Sequence, residues 1–306
     1  MPQALFLVDW QCCLGAGGEG EVFLGRSVES GELCAIKVST SIDPSQARRQ
    51  LARELERCRR AAGRGTVGLV GWNLAAERPF IVFELAHAGS LADEMRQLRQ
   101  GGQVYHPVRA LQRIRETLEA LAHVHARGLV HRDIKPDNLL RFGGGIKLGD
   151  FGTGKTLQHS GSQPGSGVRR SERASALEQL VASLPTPLPP EWLEEAFVGT
   201  RMYAAPEQLR GEEADERADL YGVGCILHEM LTGNLPDGDG RRLLRDYPSV
   251  LVLPELDRLL GSLLHPERRR RPINAHAAIA RVDEVLESYR RARGVWQRLQ
   301  LGRSPY

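Results

Sequence analysis

The first stretch whose residue types and spacing could do chemistry is Gly15-Ala16-Gly17-Gly18-Glu19-Gly20-Glu21-Val22, a Gly-x-Gly-x-x-Gly-x-Val pattern. Glycines let a main chain turn closely over a phosphate and offer it N–H groups with no side chain in the way. Taken alone, the pattern fits a glycine-rich hairpin that holds no ligand equally well. Fifteen residues after Val22 comes Lys37, set in the apolar run Cys34-Ala35-Ile36-Lys37-Val38. An ammonium is costly to bury unless it is paired, so this lysine calls for a counter-charge.

The next segment can supply one. A helix is expected from about Ser45 to Ala62, with an apolar stripe of Ala47, Leu51, Leu55, Cys58 and Ala62. Glu54 falls on that stripe, three residues after Leu51 and four before Cys58, whereas Glu56 lies nearer Arg49, Arg53 and Arg60. Helical phase therefore selects Glu54 as the acid that faces Lys37 and leaves Glu56 on a solvated ion-pair face.

The elements that must position these groups fall into two textures. From Phe6 to about Glu84, short β-type runs such as Glu21–Leu24 and Phe80–Phe83 alternate with glycines, which predicts a small sheet with one helix. The glycine pattern then joins two strands rather than a strand and a long helix, which disfavours a dinucleotide-binding unit. After Gly89 the pattern becomes helical: Val108, Leu111, Ile114, Leu118, Leu121 and Val124 recur at helical spacing, and Gly128 is a suitable stop. A boundary is expected between Glu84 and Gly89, and no internal repeat is present.

Directly after the Gly128 stop comes His131-Arg132-Asp133-Ile134-Lys135-Pro136-Asp137-Asn138-Leu139-Leu140, then a short strand pair and Asp150-Phe151-Gly152, and further on Ala205-Pro206-Glu207. Glycine loop, strand lysine, His-Arg-Asp with an Asn five residues on, Asp-Phe-Gly and Ala-Pro-Glu are, in this order, the signature set of protein kinases. From about Cys12 to Ile279 the sequence resembles a eukaryotic-type (Hanks-type) Ser/Thr protein kinase. The resemblance implies an α+β, two-lobed kinase fold: a β-rich N-lobe with one main helix over 1–85, a mostly helical C-lobe over 86–292, and a basic tail over 293–306. It implies ATP as phosphate donor, Mg²⁺ or Mn²⁺ as metal, and a protein Ser/Thr hydroxyl as acceptor. Lys37, held by Glu54, would contact the α- and β-phosphates under Gly15, Gly17 and Gly20. Asn138 and Asp150 would hold the metal, which prefers hard oxygen ligands. Asp133 would orient or accept the hydroxyl proton, and Lys135 would neutralise the γ-phosphate. Val22, Ala35 and Leu140 would sandwich the adenine, with Phe83 behind it and Glu84 to Ala86 as the hinge. Asp219 would anchor the catalytic-loop backbone, Arg271 would pair with Glu207, and Thr200 would lie near Asp133 and Lys135. Cys58 would pack on Phe151.

One departure from the family pattern is length: 57 residues separate Asp150 from Glu207. The insertion is rich in Ser, Gly and Pro, with Leu177, Leu180, Val181 and Leu184 at helical spacing, and reads either as disorder or as a docking or autoinhibitory element. Arg132 goes, in the family, with control by phosphorylation of this segment. Its candidate hydroxyls are Thr153, Thr156, Ser160, Ser162, Ser166, Ser171 and Ser175; Ser171, after Arg169-Arg170, is the first choice for autophosphorylation.

Composition narrows the remaining classes. The 306 residues carry 41 basic and 38 acidic side chains, a net charge of +3 that argues against nucleic acid as the main partner. The longest apolar run, near Leu220–Leu227, is far short of the ~20 residues of a membrane span. No secretory signal is read at the N-terminus, and five cysteines without a Cys-x-x-Cys pair fit a reducing cytoplasm. Arg268–Arg271 and the stretch after Ser288 are basic and read as solvated surface rather than binding patches, Arg271 excepted; a dimer or regulatory partner would be sought at the insertion or the tail. Only Lys37, Lys135, Lys147 and Lys155 are lysine; the first two match the family's motifs, and the other two read as surface residues. The arginine- and alanine-rich usage is that expected of a GC-rich bacterial genome. A pseudokinase is disfavoured by the presence of Lys37, Asp133, Asn138 and Asp150, and a small-molecule kinase by Lys135-Pro136 and Ala205-Pro206-Glu207.

Overall fold

A computed structural model describes residues 5–17, 20–152, 155–156, 202–236 and 253–301 of the chain. The small lobe is built on β1 (Phe6–Gly17), β2 (Gly20–Ser27), β3 (Leu33–Val38), α1 (Pro44–Ala61), β4 (Leu69–Asn73) and β5 (Phe80–Glu84). Its sheet is antiparallel, in the order β1-β2-β3-β5-β4. Val22 lies opposite Lys37 and Leu24 opposite Ala35, while Lys37 and Ala35 lie opposite Ile81 and Phe83. Directly paired residues share a face, so these side chains line one side of the sheet. The other side buries Phe23, Ile36, Val38 and Val82 with Phe6, Val8 and Phe80. At the start of β2 a Cβ on Gly20 would stand 2.4 Å from the Val38 carbonyl oxygen, so only glycine lets the two strands approach there.

Helix α1 begins where Asp43 accepts a hydrogen bond from the Ser45 N–H at 2.8 Å and Pro44 presets the first turn. Its buried stripe is Ala47, Leu51, Glu54, Leu55, Cys58 and Ala61. The stripe ends on Ala61 rather than on the expected Ala62, because the chain leaves the helix at Ala62 with ψ 132° and exposes that residue. Leu51 and Leu55 pack with Ile81, Leu69, Leu74 and Phe83, which lays α1 across the face of the sheet that carries Lys37.

The larger lobe follows with α2 (Leu91–Gln100), α3 (Pro107–His125), β6 (Leu129–Val130), a 3₁₀ turn at Pro136–Asn138, β7 (Leu139–Phe142), β8 (Gly145–Leu148) and β9 (Lys155–Thr156). Then come α4 (Pro206–Leu209), α5 (Glu216–Thr232), α6 (Pro254–Leu263) and α7 (Ala275–Leu301). The core is formed by the apolar stripes of α3, α6 and α7 around α5, which is buried from Ala218 to Leu231. This stretch contains the longest apolar run of the sequence, near Leu220–Leu227, and among the described residues no helix is long and apolar enough to cross a membrane. Helix α7 runs through position 293, so no break in secondary structure marks the expected start of a tail. The expected helix at 177–184 lies outside the described residues.

Gly222 on α5 is where the scaffold meets the loop after β6. A Cβ there would stand 2.9 Å from the Ile134 carbonyl oxygen and 3.0 Å from the Ile134 Cβ. Gly222→Ala should therefore overpack this contact and lower stability by about 1–3 kcal/mol. A urea melt reads the effect directly; an unchanged midpoint would contradict the packing described.

Candidate active site

Lys37 is only 5% exposed, and its ammonium meets two carboxylates: Glu54 of α1 at 2.7 Å and Asp150, just past β8, at 2.8 Å. Glu54 is itself buried, while Glu56 is exposed, as helical phase requires. Burial alone would lower the Lys37 pKa, but Asp150 and Glu54 outweigh it and hold the ammonium above the ordinary lysine value. Reciprocally, burial would raise the Asp150 carboxyl, and Lys37 overrides it and keeps the group ionised below its usual range.

The second group sits on the loop between β6 and β7. Lys135 Nζ lies 3.0 Å from the Asp133 carboxylate. Asn138 donates its side-chain N–H to the Asp133 main-chain oxygen at 2.8 Å and to its carboxylate at 3.1 Å. The two groups are stitched together one residue before Asp150: Gly149 N–H donates to the Asn138 carbonyl at 2.9 Å, and His131 Nε2 donates to the Gly149 carbonyl at 2.9 Å. The His131 ring also packs against Phe151, with centroids 5.0 Å apart. Asp150 holds φ at +55° and Arg132 at +70°, a left-handed conformation rare for residues with a side chain.

What holds that loop is Asp219 of α5. Its carboxylate accepts the His131 N–H at 2.9 Å, the Arg132 N–H at 2.7 Å and His125 Nε2 at 2.7 Å. Burial would raise this carboxyl, but the bonds from His125 and the loop keep it below the usual carboxylate range. Arg132 Nη2 donates to the Ala214 carbonyl at 3.0 Å, and burial lowers the Arg132 pKa against the pull of Asp219 and Glu213. Further along, Arg271 grips Glu207 with two nitrogens, at 2.6 and 2.8 Å. Arg268 is less solvated than expected, donating to the Glu213 carbonyl at 2.7 Å, while Arg269 and Arg270 face solvent.

Val22 and Ala35 lie half-buried on the sheet face shared with Lys37, and Leu140 lies half-buried on β7. Phe83 lies beside Ala35 and packs on the α1 core. Glu84 and Ala86 begin the crossing between lobes. A Cβ at Gly15 or Gly17 would meet no atom of the described residues within 4 Å, whereas one at Gly20 would meet the Val38 carbonyl. Cys58 and Phe151 share the core that reaches both lobes; burial raises the Cys58 thiol pKa, which leaves it a small apolar group. Ser171, Thr200 and the candidate hydroxyls at 153, 160, 162, 166 and 175 lie outside the described residues, as do the Thr156 and Lys155 side chains.

Three positions escaped the sequence reading. His125 falls on the apolar stripe of α3, four residues after Leu121, the same phase signal that selected Glu54. Gln208 bridges α4 to the loop, accepting from Ala205 N–H at 3.0 Å and donating to the Arg132 carbonyl at 2.9 Å. Arg57 donates to the carbonyls of Phe151 and Gly152. No local pattern announces the last two, since both partners are main-chain oxygens distant in sequence.

As to metal, Asp150 and Asn138 offer a carboxylate and an amide oxygen, the hard donors that Mg²⁺ takes when phosphates complete its shell. The donor chemistry therefore fits a Mg²⁺–nucleotide rather than a closed protein cage.

Comparison with known proteins adds the following. Residues 10–272 match the protein kinase domain family. The chain is 30% identical over 300 residues to serine/threonine-protein kinase pkn2 of Myxococcus xanthus, covering 90% of this chain and 32% of that protein. It is 30% identical over 266 residues to serine/threonine-protein kinase PknL of Mycobacterium tuberculosis, covering 82% and 58%. It is 29% identical over 231 residues to the probable serine/threonine-protein kinase PknB of Corynebacterium glutamicum, covering 73% and 31%. The chain thus spans between about a third and three fifths of these curated relatives.

The Glu207–Arg271 pair gives a pH signature. Burial would raise the Glu207 carboxyl, but Arg271 holds it below its ordinary 4.5. An acid depressed on folding contributes stability that is complete above its unfolded pKa and is lost as the pH falls through the folded one. This group's contribution should hold level above pH 4.5 and decline below it. Glu207→Gln should remove that part of the acid decline and cost about 3–5 kcal/mol at neutral pH, because it strands a buried guanidinium. Calorimetric melts across a pH series check both.

Proposed function

Since the chain belongs to the protein kinase domain family, we propose that it transfers the γ-phosphate of ATP to Ser or Thr hydroxyls of proteins. The observation that carries this reading is the shared ammonium of Lys37, held at 2.7 Å from Glu54 and 2.8 Å from Asp150 beside the Asp133–Lys135–Asn138 group. Phosphoryl transfer asks for positioning and charge neutralisation, which such an array supplies.

In this reading Gly15, Gly17 and Gly20 present main-chain N–H groups to the phosphates, and Lys37 contacts the α- and β-phosphates. Asn138 and Asp150 hold Mg²⁺ or Mn²⁺. When bound, the ion neutralises the phosphate oxygens and orients them. Asp133 takes or orients the acceptor's proton, and Lys135 balances charge at the group transferred. Val22, Ala35 and Leu140 enclose the purine, with Glu84 to Ala86 along its edge. Residues 1–85 and 86–292 act as the two lobes, with 293–306 a basic extension. Arg132, Ser171 and Thr200 form the regulatory set: autophosphorylation in 150–207 is sensed by Arg132, and Thr200 docks near Asp133. The names of the relatives support the choice of Ser/Thr, the near-neutral charge supports a protein rather than a nucleic-acid acceptor, and the cysteine usage supports the cytoplasm, with a dimer or regulator contacting the insertion or the basic extension.

The test is γ-phosphate transfer from ATP to the chain itself, to a generic protein and to small alcohols. Transfer to protein alone is expected. Asp133→Asn should reduce it by about 10²–10⁴. Lys37→Arg keeps the charge, but a planar fork cannot occupy the slot of a compact ammonium, and a loss of about 10²–10³ is expected. Near-normal turnover in either variant, or transfer to alcohols only, would count against the reading.

A further inference from the structure

Lys147 reads from the sequence as a surface residue, and the structure places it elsewhere. Its ammonium lies 2.5 Å from Glu84 Oε1 and 4.3 Å from the centre of the Phe142 ring. Lys147 and Glu84 are each about one third exposed. Glu84 is the last residue of β5, where the chain crosses from the small lobe to the large one.

The carboxylate is gripped from both lobes. On the small-lobe side, Gly68 N–H donates to Glu84 Oε1 at 2.6 Å while Glu84 N–H donates to the Gly68 carbonyl at 2.9 Å. A Cβ on Gly68 would stand 3.1 Å from that carboxylate, so the approach is close. On the large-lobe side stands Lys147 of β8, whose neighbour Leu148 exchanges main-chain bonds with the same small-lobe loop: Leu148 N–H to Gly65 at 2.8 Å, and Val67 N–H to Leu148 at 2.9 Å. Lys147 also lies directly opposite Leu140 across the β7–β8 pair. One carboxylate oxygen thus ties together the end of β5, the loop before β4 and the strand beneath the crossing.

We propose that Lys147 is a positioning residue for the crossing segment Glu84 to Ala86, setting how firmly the purine of a nucleotide is held; it acts through Glu84 and touches no ligand. The ligand rests on the kinase reading, whereas the positioning does not. A compact ammonium suits the place, since it must reach the carboxylate while resting on an aromatic ring, and a guanidinium fork would demand a wider slot. In a chain with four lysines among 41 basic residues, three now have an ion pair around one cleft: Lys37, Lys135 and Lys147.

The test uses the full chain and Lys147→Met, which keeps the side-chain length and the contact over Phe142. Calorimetric titration with adenosine and with ATP should show both weakened by the same factor of about three to five, the size of a half-exposed ion pair. Amide hydrogen exchange over residues 84–89 should quicken. KM for ATP should rise with kcat unchanged, Lys147→Arg should recover part of the loss, and Glu84→Gln combined with Lys147→Met should lose no more than either alone. Unchanged affinity and exchange would overturn the proposal, as would a loss confined to ATP, which would mark a plain charge effect on phosphates. If the wild-type chain binds nucleotide but transfers no phosphate, the kinase reading fails while titration and exchange still decide. If it binds neither ligand, exchange decides alone: quickening supports the proposal and no change overturns it.

Discussion

A buried ammonium with two carboxylates is the constraint on which the rest of this structure depends. Lys37 lies in the middle of a strand at 5% exposure, where an unpaired charge would be prohibitive. Its partners come from distant parts of the chain: Glu54 is 17 residues away and Asp150 is 113. Satisfying one charge therefore fixes three elements at once, namely the β3 strand, the α1 helix across it and the turn after β8. The left-handed conformation of Asp150, strained for a non-glycine residue, persists because Lys37 holds the side chain and Arg57 holds the two following carbonyls.

The large lobe repeats the device with the signs exchanged. Asp219 is a buried anion inside an apolar helix, and it is tolerated because three donors converge on it: two main-chain N–H groups of the loop and His125. Arg132 takes a positive φ, and the bonds of its own N–H and that of His131 to Asp219 offset the cost of the strained loop. Glu207 and Arg271 close the other end, and Gln208 carries the connection back to the Arg132 carbonyl. The groups at Asp133, Lys135 and Asn138 are thus held by a frame of buried charges that are all paired, none of which needs to touch a substrate.

Much of this was legible in the residues. Helical phase alone separated Glu54 from Glu56, and the same argument applied to α3 would have selected His125. The register sets Val22, Ala35 and Lys37 on one face of the sheet, a grouping for which the residues themselves had offered no separate argument. The end of the α1 stripe was misplaced by one residue, because Ala61 and Ala62 are equally apolar and only the exit angle of the chain distinguishes them. Lys147 was misread for a related reason: nothing in Gly145-Ile146-Lys147-Leu148 states what lies across from it.

By itself the sequence determined the element types and the residue types needed at each motif, because periodicity and burial cost are properties of the local chain. The tertiary structure alone decided which main-chain oxygens receive Arg57 and Gln208, and that Glu84 is shared by Gly68 and Lys147. Main-chain N–H and C=O groups are the same at every residue, so a bond to one of them leaves no mark on the identity of its partner. Pairings of that kind exist only once the lobes have been brought together around their buried charges.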